Sequence, residues 1–290
     1  MIYMDSLTLP DDRVVESCLQ RFTVHTCYDS FYPFQVFYTR DMPVFKMEDI
    51  TIFYGGNGSG KSTLLNVIAE KLKLDRDAVF NQSNFYDKYV DICDISLTSN
   101  AGAEAPEGSR IITSDDVFDY ALDVRCLNQK IDRKREERMA EYTSLRRAKF
   151  RMNSLEELDD LRLNNLAKSK SMSQFVRNTV MDNVRERSNG ETAFNYFVTR
   201  IKDHALYLLD EPENSLSTKL QIELRNFIID SMRAFKCQFI IATHSPFMLS
   251  LPHAKIYNLD NEPPCACHFG ELSAMRDYYE LFKEHRAEFE

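Results

Sequence analysis

The 290-residue chain lacks a surplus of positive charge: 36 Lys and Arg stand against 45 Asp and Glu, for a net charge of −9. That excludes a protein that is basic throughout and coats nucleic acid, although it leaves room for a local basic face. The seven cysteines are odd in number and show no framework spacing, which fits a reducing compartment better than secretion. No window approaches the ~20 apolar residues that a membrane-spanning helix needs. The start, Met1 to Asp5, has neither the basic residues nor the apolar run of a signal peptide. The expectation is a soluble, cytoplasmic protein that does not enter a membrane. Its length allows one large α/β domain or a core with an insertion. Glycine is scarce as well, yet four of the 8 glycines fall between positions 55 and 60.

Those glycines belong to Gly55-Gly-Asn-Gly-Ser-Gly-Lys-Ser-Thr63, which fits the phosphate-loop pattern G-x-x-x-x-G-K-[ST] with Gly55, Gly60, Lys61 and Ser62 at the fixed positions. Without side chains in the way, the N–H groups of Gly55, Gly56, Asn57, Gly58, Ser59 and Gly60 can turn inward around a phosphate. Lys61 is expected on the β- and γ-phosphates, and the Ser62 hydroxyl on Mg²⁺. The flanks match. Asp49 to Tyr54 reads as a buried strand. Leu64, Leu65, Val67, Ile68 and Leu72 then form a helical stripe, which aims a helix N-terminus at the phosphate.

Before this loop, Arg21 to Cys27 shows a period of two and Pro33 to Tyr38 is a second strand candidate, so a β-rich lead-in is expected over residues 1–48. Its aromatics (Phe31, Tyr32, Phe34, Phe37 and Tyr38) are core formers first and adenine-stacking candidates second. After the loop, Tyr89 to Leu97 reads as a half-exposed strand, and Arg110 to Thr113 as a short one. The latter runs into Ser114-Asp115-Asp116, a helix start. From about Val117 to Arg187 the chain is long-helical and charged. Residues 125–187 hold 16 basic and 10 acidic side chains, a surplus of +6 that leaves −15 for the remainder. Ser154 and Glu157 have capping-box spacing and divide the stretch into at least two helices. A solvated insertion and a docking arm for nucleic acid or a partner protein are both compatible with that charge.

Leu206 to Leu209 reads as a buried strand that delivers Asp210 and Glu211 at its C-terminal end, where open α/β sheets bind ligands. Asp210 is placed for Mg²⁺ and Glu211 as general base toward an attacking water. Lys219 to Phe235 is an amphipathic helix, and Phe239 to Thr243 a further strand that delivers His244 to the same edge. Ser188-Asn189-Gly190 offers a hydroxyl, an amide and a freely turning backbone ahead of a helix, which makes an anion site. Residues 254–259 suggest a last strand, and the prolines at 263 and 264 break the chain. Glu271 to Glu290 reads as a charged terminal helix. Cys265, Cys267 and His268 are close together but lack the second half of a zinc site.

Taken in order, Gly55 to Thr63, Ser188 to Glu191, Leu206 to Ser217 and Ala242 to Pro246 resemble an ABC-type ATPase. The likeness is to the soluble SMC/RecF-like branch of the AAA ATPases, the stand-alone "predicted ATPase" group, and covers residues 45–75 and 188–260. It implies a P-loop NTPase fold, a three-layer α/β sandwich with a β-rich N-terminal lobe and a helical insertion. The parts would be 1–114 (lobe and phosphate-loop half), 115–187 (arm) and 188–290 (second half and terminal helix). It implies ATP and Mg²⁺ as cofactors and a homodimer in the ATP state. In that dimer Ser188, Asn189 and Gly190 form the signature that meets ATP held by a second subunit. Glu191 would be accessory. Asn214 and Ser215 fall in the D-loop, and His244 is the switch histidine. The signature departs from the Leu-Ser-Gly-Gly-Gln of transporters, and the arm is too short for a true SMC lever. The glutamine-loop equivalent is either Gln82 or, preferred here, Ser114 to Asp116. The function implied is a soluble ATP-hydrolysing switch acting with a partner in a DNA-associated or defence-type process. The alternatives are a nucleotide-gated regulatory module with negligible turnover and a transporter-energising subunit.

Overall fold

A computed structural model describes residues 1–25, 28, 30–147, 158–177, 180–182 and 189–289. The chain divides into two compact units, residues 1–118 with 189–290, and residues 119–188. The first unit is built on a six-stranded sheet. Its strands are β3 (Ile50–Tyr54), β5 (Arg110–Thr113), β6 (Leu206–Asp210), β7 (Gln238–Ala242), β8 (Lys255–Asn258) and β9 (Cys265–Cys267), in spatial order β5-β6-β7-β3-β8-β9. The pairings from β5 through β8 are parallel, and β9 closes the edge antiparallel to β8. Strands β3 and β7 are buried along their whole length, as is β6 up to its last residue. A parallel strand covered on both faces needs an unbroken apolar run, which is what Ile-Thr-Ile-Phe-Tyr, Leu-Tyr-Leu-Leu and Phe-Ile-Ile-Ala supply.

A second, antiparallel sheet joins β1 (Met4–Thr8) to β2 (Phe45–Lys46) and β4 (Asp94–Leu97) in the order β2-β1-β4. Gln238 ties the two sheets together. Its Oε1 accepts from the N–H groups of Tyr3 and Met4, both at 2.9 Å, and its Nε2 donates to the carbonyls of Met4 and Glu48. A fully buried amide is tolerated because its polar atoms are satisfied.

The lead-in is less β-rich than the sequence suggests. Residues 21–25 end a helix, α1 (Asp12–His25), not a strand. Val15, Cys18, Leu19 and Phe22 face the core, and that i, i+3, i+4, i+7 spacing outweighs the short alternation after Arg21. Thr26 and Cys27 lie outside the described residues. The second strand candidate is a one-turn helix, α2 (Phe34–Phe37), which buries Phe34 and Phe37 three residues apart. Tyr89 to Ile92 belongs to α4 (Tyr86–Ile92), because Tyr86, Tyr89 and Val90 share a helix face; only Asp94–Leu97 is strand. β9 forms just past the prolines read as a break.

The remaining helices of this unit are α3 (Lys61–Lys71), α8 (Asn189–Arg200), α9 (Thr218–Phe235), α10 (Pro246–Leu249) and α11 (Ser273–Glu284). Helix α5 (Ser114–Arg147) starts at the end of β5 and runs into the second unit, which also holds α6 (Leu158–Ser169) and α7 (Met172–Arg177). That unit has its own small core of Ile131, Tyr142, Ala167, Phe175, Val176 and Val180. Tyr142 donates its hydroxyl to the Lys170 carbonyl at 3.1 Å, and Asn164 donates to Leu145 O at 3.1 Å. The capping-box pair Ser154 and Glu157 lies outside the described residues. Among the described residues, no helix is long and apolar enough to cross a membrane.

Candidate active site

The loop between β3 and α3 wraps a cavity of about 370 Å³, lined by Asn57 to Thr63, Tyr32, Val36 and Glu211. Gly60 caps α3 with φ +98°, and a Cβ there would stand 2.5 Å from the Phe37 ring. Only glycine combines that dihedral with that approach. Lys61 opens the helix and is just 5% exposed. Its ammonium donates to Gly55 O at 2.7 Å and Gly56 O at 3.1 Å, and lies 3.9 Å from Glu211 Oε1. Of the five candidate aromatics, Tyr32 lines the cavity, and it donates its hydroxyl to Thr63 Oγ1 at 3.0 Å.

The ends of β6 and β7 complete the site. Ser62 Oγ donates to Asp210 Oδ1 at 3.1 Å, which joins two oxygen donors of the kind a hard divalent cation takes. Burial, reinforced by the charge of Glu211, pushes the Asp210 carboxyl up to about 6, although the Ser62 hydrogen bond works the other way. Glu211 sits in the left-handed region at φ +47°, a strained conformation for a non-glycine residue, held by its N–H bond to Ala242 O at 2.8 Å. The turn aims its carboxylate back over the loop. Oε2 accepts from Asn214 Nδ2 at 3.0 Å, and Oε1 is 3.6 Å from His244 Nδ1. His244 is half-exposed. Lys61, Ser62, Asp210, Glu211 and His244 therefore converge from three elements.

The residues expected to form the signature are placed differently. Gly190 lies in the first turn of α8, where a Cβ would come within 3.2 Å of Ser215 O and 2.8 Å of Leu220 Cδ1. Ser215 is itself left-handed, at φ +69°. Neither is among the described residues lining the phosphate-loop cavity. Asn189 opens α8, and Ser188 lies outside the described residues. Gln82 is exposed; Ser114 follows β5, the strand beside β6, and Asp116 turns its carboxylate onto Thr113 N at 2.6 Å. Cys265 and Cys267 lie in β9 as free thiols, and among the described residues no three His, Cys, Asp or Glu gather into a metal-holding group.

Three residues that the sequence reading passed over support the site. Asp260 accepts from Gly56 N at 2.9 Å, and Arg40 donates to Ser59 O at 2.8 Å and also to Leu259 O. Together they pin the phosphate loop to the end of β8. Asp260 follows a core strand, so the strand-end rule that found Asp210 and His244 also points to it; Arg40 carries no such signal. The third is Glu213, 6% exposed, whose Oε1 accepts from Thr243 Oγ1 at 2.6 Å, Ser245 N at 3.1 Å and His244 N at 3.2 Å.

A family model described as ABC transporter matches residues 44–214, more than half of the chain. The chain belongs to this family of ABC-type ATPases. A second model, described as AAA ATPase domain, matches residues 192–249, so the two together take in both halves of the site. As an ABC-type ATPase, the protein binds and hydrolyses ATP. Solved structures similar to this ATPase include an inward-facing metal-chelate type ABC transporter (18% identity, 80% of this chain and 77% of that one, TM-score 0.35). Another is an Smc head domain with an extended coiled coil from Pyrococcus furiosus, bound to the C-terminal domain of ScpA (15%, 82% and 94%, TM-score 0.40). A third is the SMC head domain from Thermotoga maritima (14%, 78% and 92%, TM-score 0.34). A search of curated proteins finds no match to the ATPase.

Proposed function

We propose that the protein is an ATP-driven switch that closes as a homodimer around two ATP–Mg²⁺. One observation carries the reading. The hydrolytic residues converge on the phosphate loop, whereas Gly190 at the start of α8 lies against the D-loop of its own chain and is not among the described residues lining that cavity. An anion-binding helix start kept apart from its own nucleotide cavity is suited to the nucleotide of a second copy. Ser188, Asn189, Gly190 and Ser215 would supply that contact.

In the bound state the loop N–H groups and the α3 dipole hold the phosphates, and Lys61 exchanges its two loop carbonyls for β- and γ-phosphate oxygens. Ser62 and Asp210 would hold Mg²⁺, which supplies charge neutralisation at the transferring phosphoryl group. Glu211 Oε1 takes the proton of the attacking water as its oxygen bonds the γ-phosphorus; the bond to the β-phosphate oxygen breaks, and ADP and phosphate leave. His244, next to Glu211, senses the γ-phosphate. Closure and release would act on a partner through residues 119–188, whose exposed basic side chains (Lys130, Lys134 and Arg147 among them) suit a nucleic acid in a DNA-associated or defence-type process.

The test is mass by light scattering with and without ATP–Mg²⁺, for the wild type and Glu211→Gln. The expected result is a dimer of the variant only with ATP, and loss of hydrolysis. A variant that binds ATP and stays monomeric overturns the sandwich.

A further inference from the structure

The segment that carries His244 is not held by its own strand alone. Past the end of β7, Thr243, His244 and Ser245 present a hydroxyl and two successive N–H groups to a single oxygen, Glu213 Oε1. The bond from Thr243, at 2.6 Å, has the length of a hydroxyl donating to an ionised acceptor. The other oxygen, Oε2, is buried without a partner among the described residues. A nearly buried carboxylate with half of its bonding capacity unused is costly. Three donors that meet on one acceptor hold the whole segment at a single point, which calls for a reason other than capping.

The reason lies in where Glu213 is anchored. It stands two residues after Glu211, in a turn closed by Asn214 N–H to Glu211 O at 3.1 Å and Leu216 N–H to Glu213 O at 3.0 Å. In this turn Asn214 orients the Glu211 carboxylate, while Glu213 grips the His244 backbone and stands 3.9 Å from the imidazole Nδ1. Gln221 adds a second tether, accepting from Ser245 Oγ at 2.8 Å and donating to Leu216 O at 3.0 Å. The 3.6 Å spacing between Glu211 and His244 is therefore set by this turn as well as by the pairing of β6 with β7. We propose that Glu213 is a positioning residue for hydrolysis, holding the His244 imidazole in register with Glu211. The inference rests on the roles given to Glu211 and His244 above.

The experiment compares steady-state hydrolysis and equilibrium ATP binding for the wild type, His244→Ala, Glu213→Ala, Glu213→Gln and Thr243→Val. Glu213→Ala should lower kcat about 30-fold or more while KM and ATP affinity stay within about threefold, since a misplaced group acts on the transition state and not on binding. Glu213→Gln keeps an acceptor at the Oε1 position and should recover kcat to within about fivefold of the wild type. Thr243→Val removes only the 2.6 Å donor, and its loss should be smaller than that of Glu213→Ala. The His244 imidazole resonance, assigned through His244→Ala, should move in Glu213→Ala and return in Glu213→Gln. Wild-type kcat in Glu213→Ala, or parallel losses of kcat and ATP affinity, would overturn the proposal. If Glu213→Ala does not fold, an unaltered kcat in Thr243→Val overturns it. An unimpaired His244→Ala removes the role of His244 and this inference with it, whereas an impaired His244→Ala beside an intact Glu213→Ala sinks the positioning role alone.

Discussion

Replacing Asp210 with Asn should stabilise the metal-free protein and abolish its response to Mg²⁺–ATP. In the fold the Asp210 carboxyl is raised from 3.8 to about 6, first by burial and then by the Glu211 charge. Between those values the folded state keeps a proton that the unfolded state has lost, so stability falls as pH rises through that window and stays low above it. At about 1.4 kcal/mol per tenfold change in proton affinity, the ionised carboxylate costs about 3 kcal/mol at pH 7.5. Asparagine removes that cost and keeps an Oδ1 acceptor for Ser62. For a chain of this size about 3 kcal/mol corresponds to a rise in Tm on the order of 5 °C. Thermal melts in chelator at pH 4, 5, 6 and 7.5 test this. The variant should melt above the wild type at pH 7.5, and the gap should close toward pH 4. With Mg²⁺–ATP at about 100 times Kd, the wild type should gain about 2.7 kcal/mol and the variant far less, which narrows or reverses the gap. An Asp210→Asn protein less stable than the wild type in chelator at pH 7.5, or a gap independent of pH, would refute the reasoning.

Gly60→Ala combines an unfavourable φ of +98° with a Cβ 2.5 Å from the Phe37 ring, so it should cost about 1–3 kcal/mol and cut ATP affinity at least tenfold, read by denaturant melts and nucleotide titration. Asp77 accepts from Tyr196 at 2.8 Å and from Arg110 at 2.9 Å and forms an ion pair with Arg200 at 2.9 Å; burial opposes ionisation, but the tyrosine hydroxyl and the two guanidinium groups hold its carboxyl below the usual range. Its stabilising share is present above the ordinary carboxylate value and lost as pH falls through the depressed one, so Asp77→Asn should lower Tm at pH 7 and converge with the wild type once the pH falls below the depressed value. In the second unit, reversing Lys130, Lys134 and Arg147 to Glu should weaken binding to duplex DNA and flatten the salt dependence by about 3 in log–log slope if all three meet phosphates. An unchanged slope would remove nucleic acid as the ligand of these side chains.

The core of the fold was legible wherever one residue type has one reason to stand where it does. The glycines and Lys61, the apolar runs of β3, β6 and β7, and the acidic pair at the end of β6 were read from chemistry that local sequence carries in full. The lead-in was misread because a short stretch such as 21–27 satisfies a period of two by accident, and only the window from Val15 to Phe22 shows the helical period that prevails. Arg40, Asp260 and Glu213 were passed over for another reason. Their partners are backbone atoms of distant segments (Ser59, Gly56 and His244), and a carbonyl or N–H group leaves no mark on the sequence.

That last point bears on how an acidic chain binds a polyanion. The protein carries −9 in all, and residues 125–187 contribute +6, so the rest of the chain, which supplies the ATP site, is far from electrostatically inviting. Beside the phosphate loop stand Asp210, Glu211 and, behind them, Glu213, with the Lys61 ammonium 3.9 Å from Glu211. Net charge therefore cannot be the source of phosphate affinity. The source must be directional: N–H groups that glycines allow to converge, the α3 N-terminus behind them, and Lys61 held ready on two loop carbonyls. The excess of carboxylates then becomes a requirement for a cation, since only a bound divalent ion lets Asp210 ionise without penalty beside Glu211. On the function proposed above, a site arranged in this way would hold nucleotide and metal more strongly together than either alone. That is the property a switch needs if it is to respond to the Mg²⁺ complex of ATP and not to stray anions.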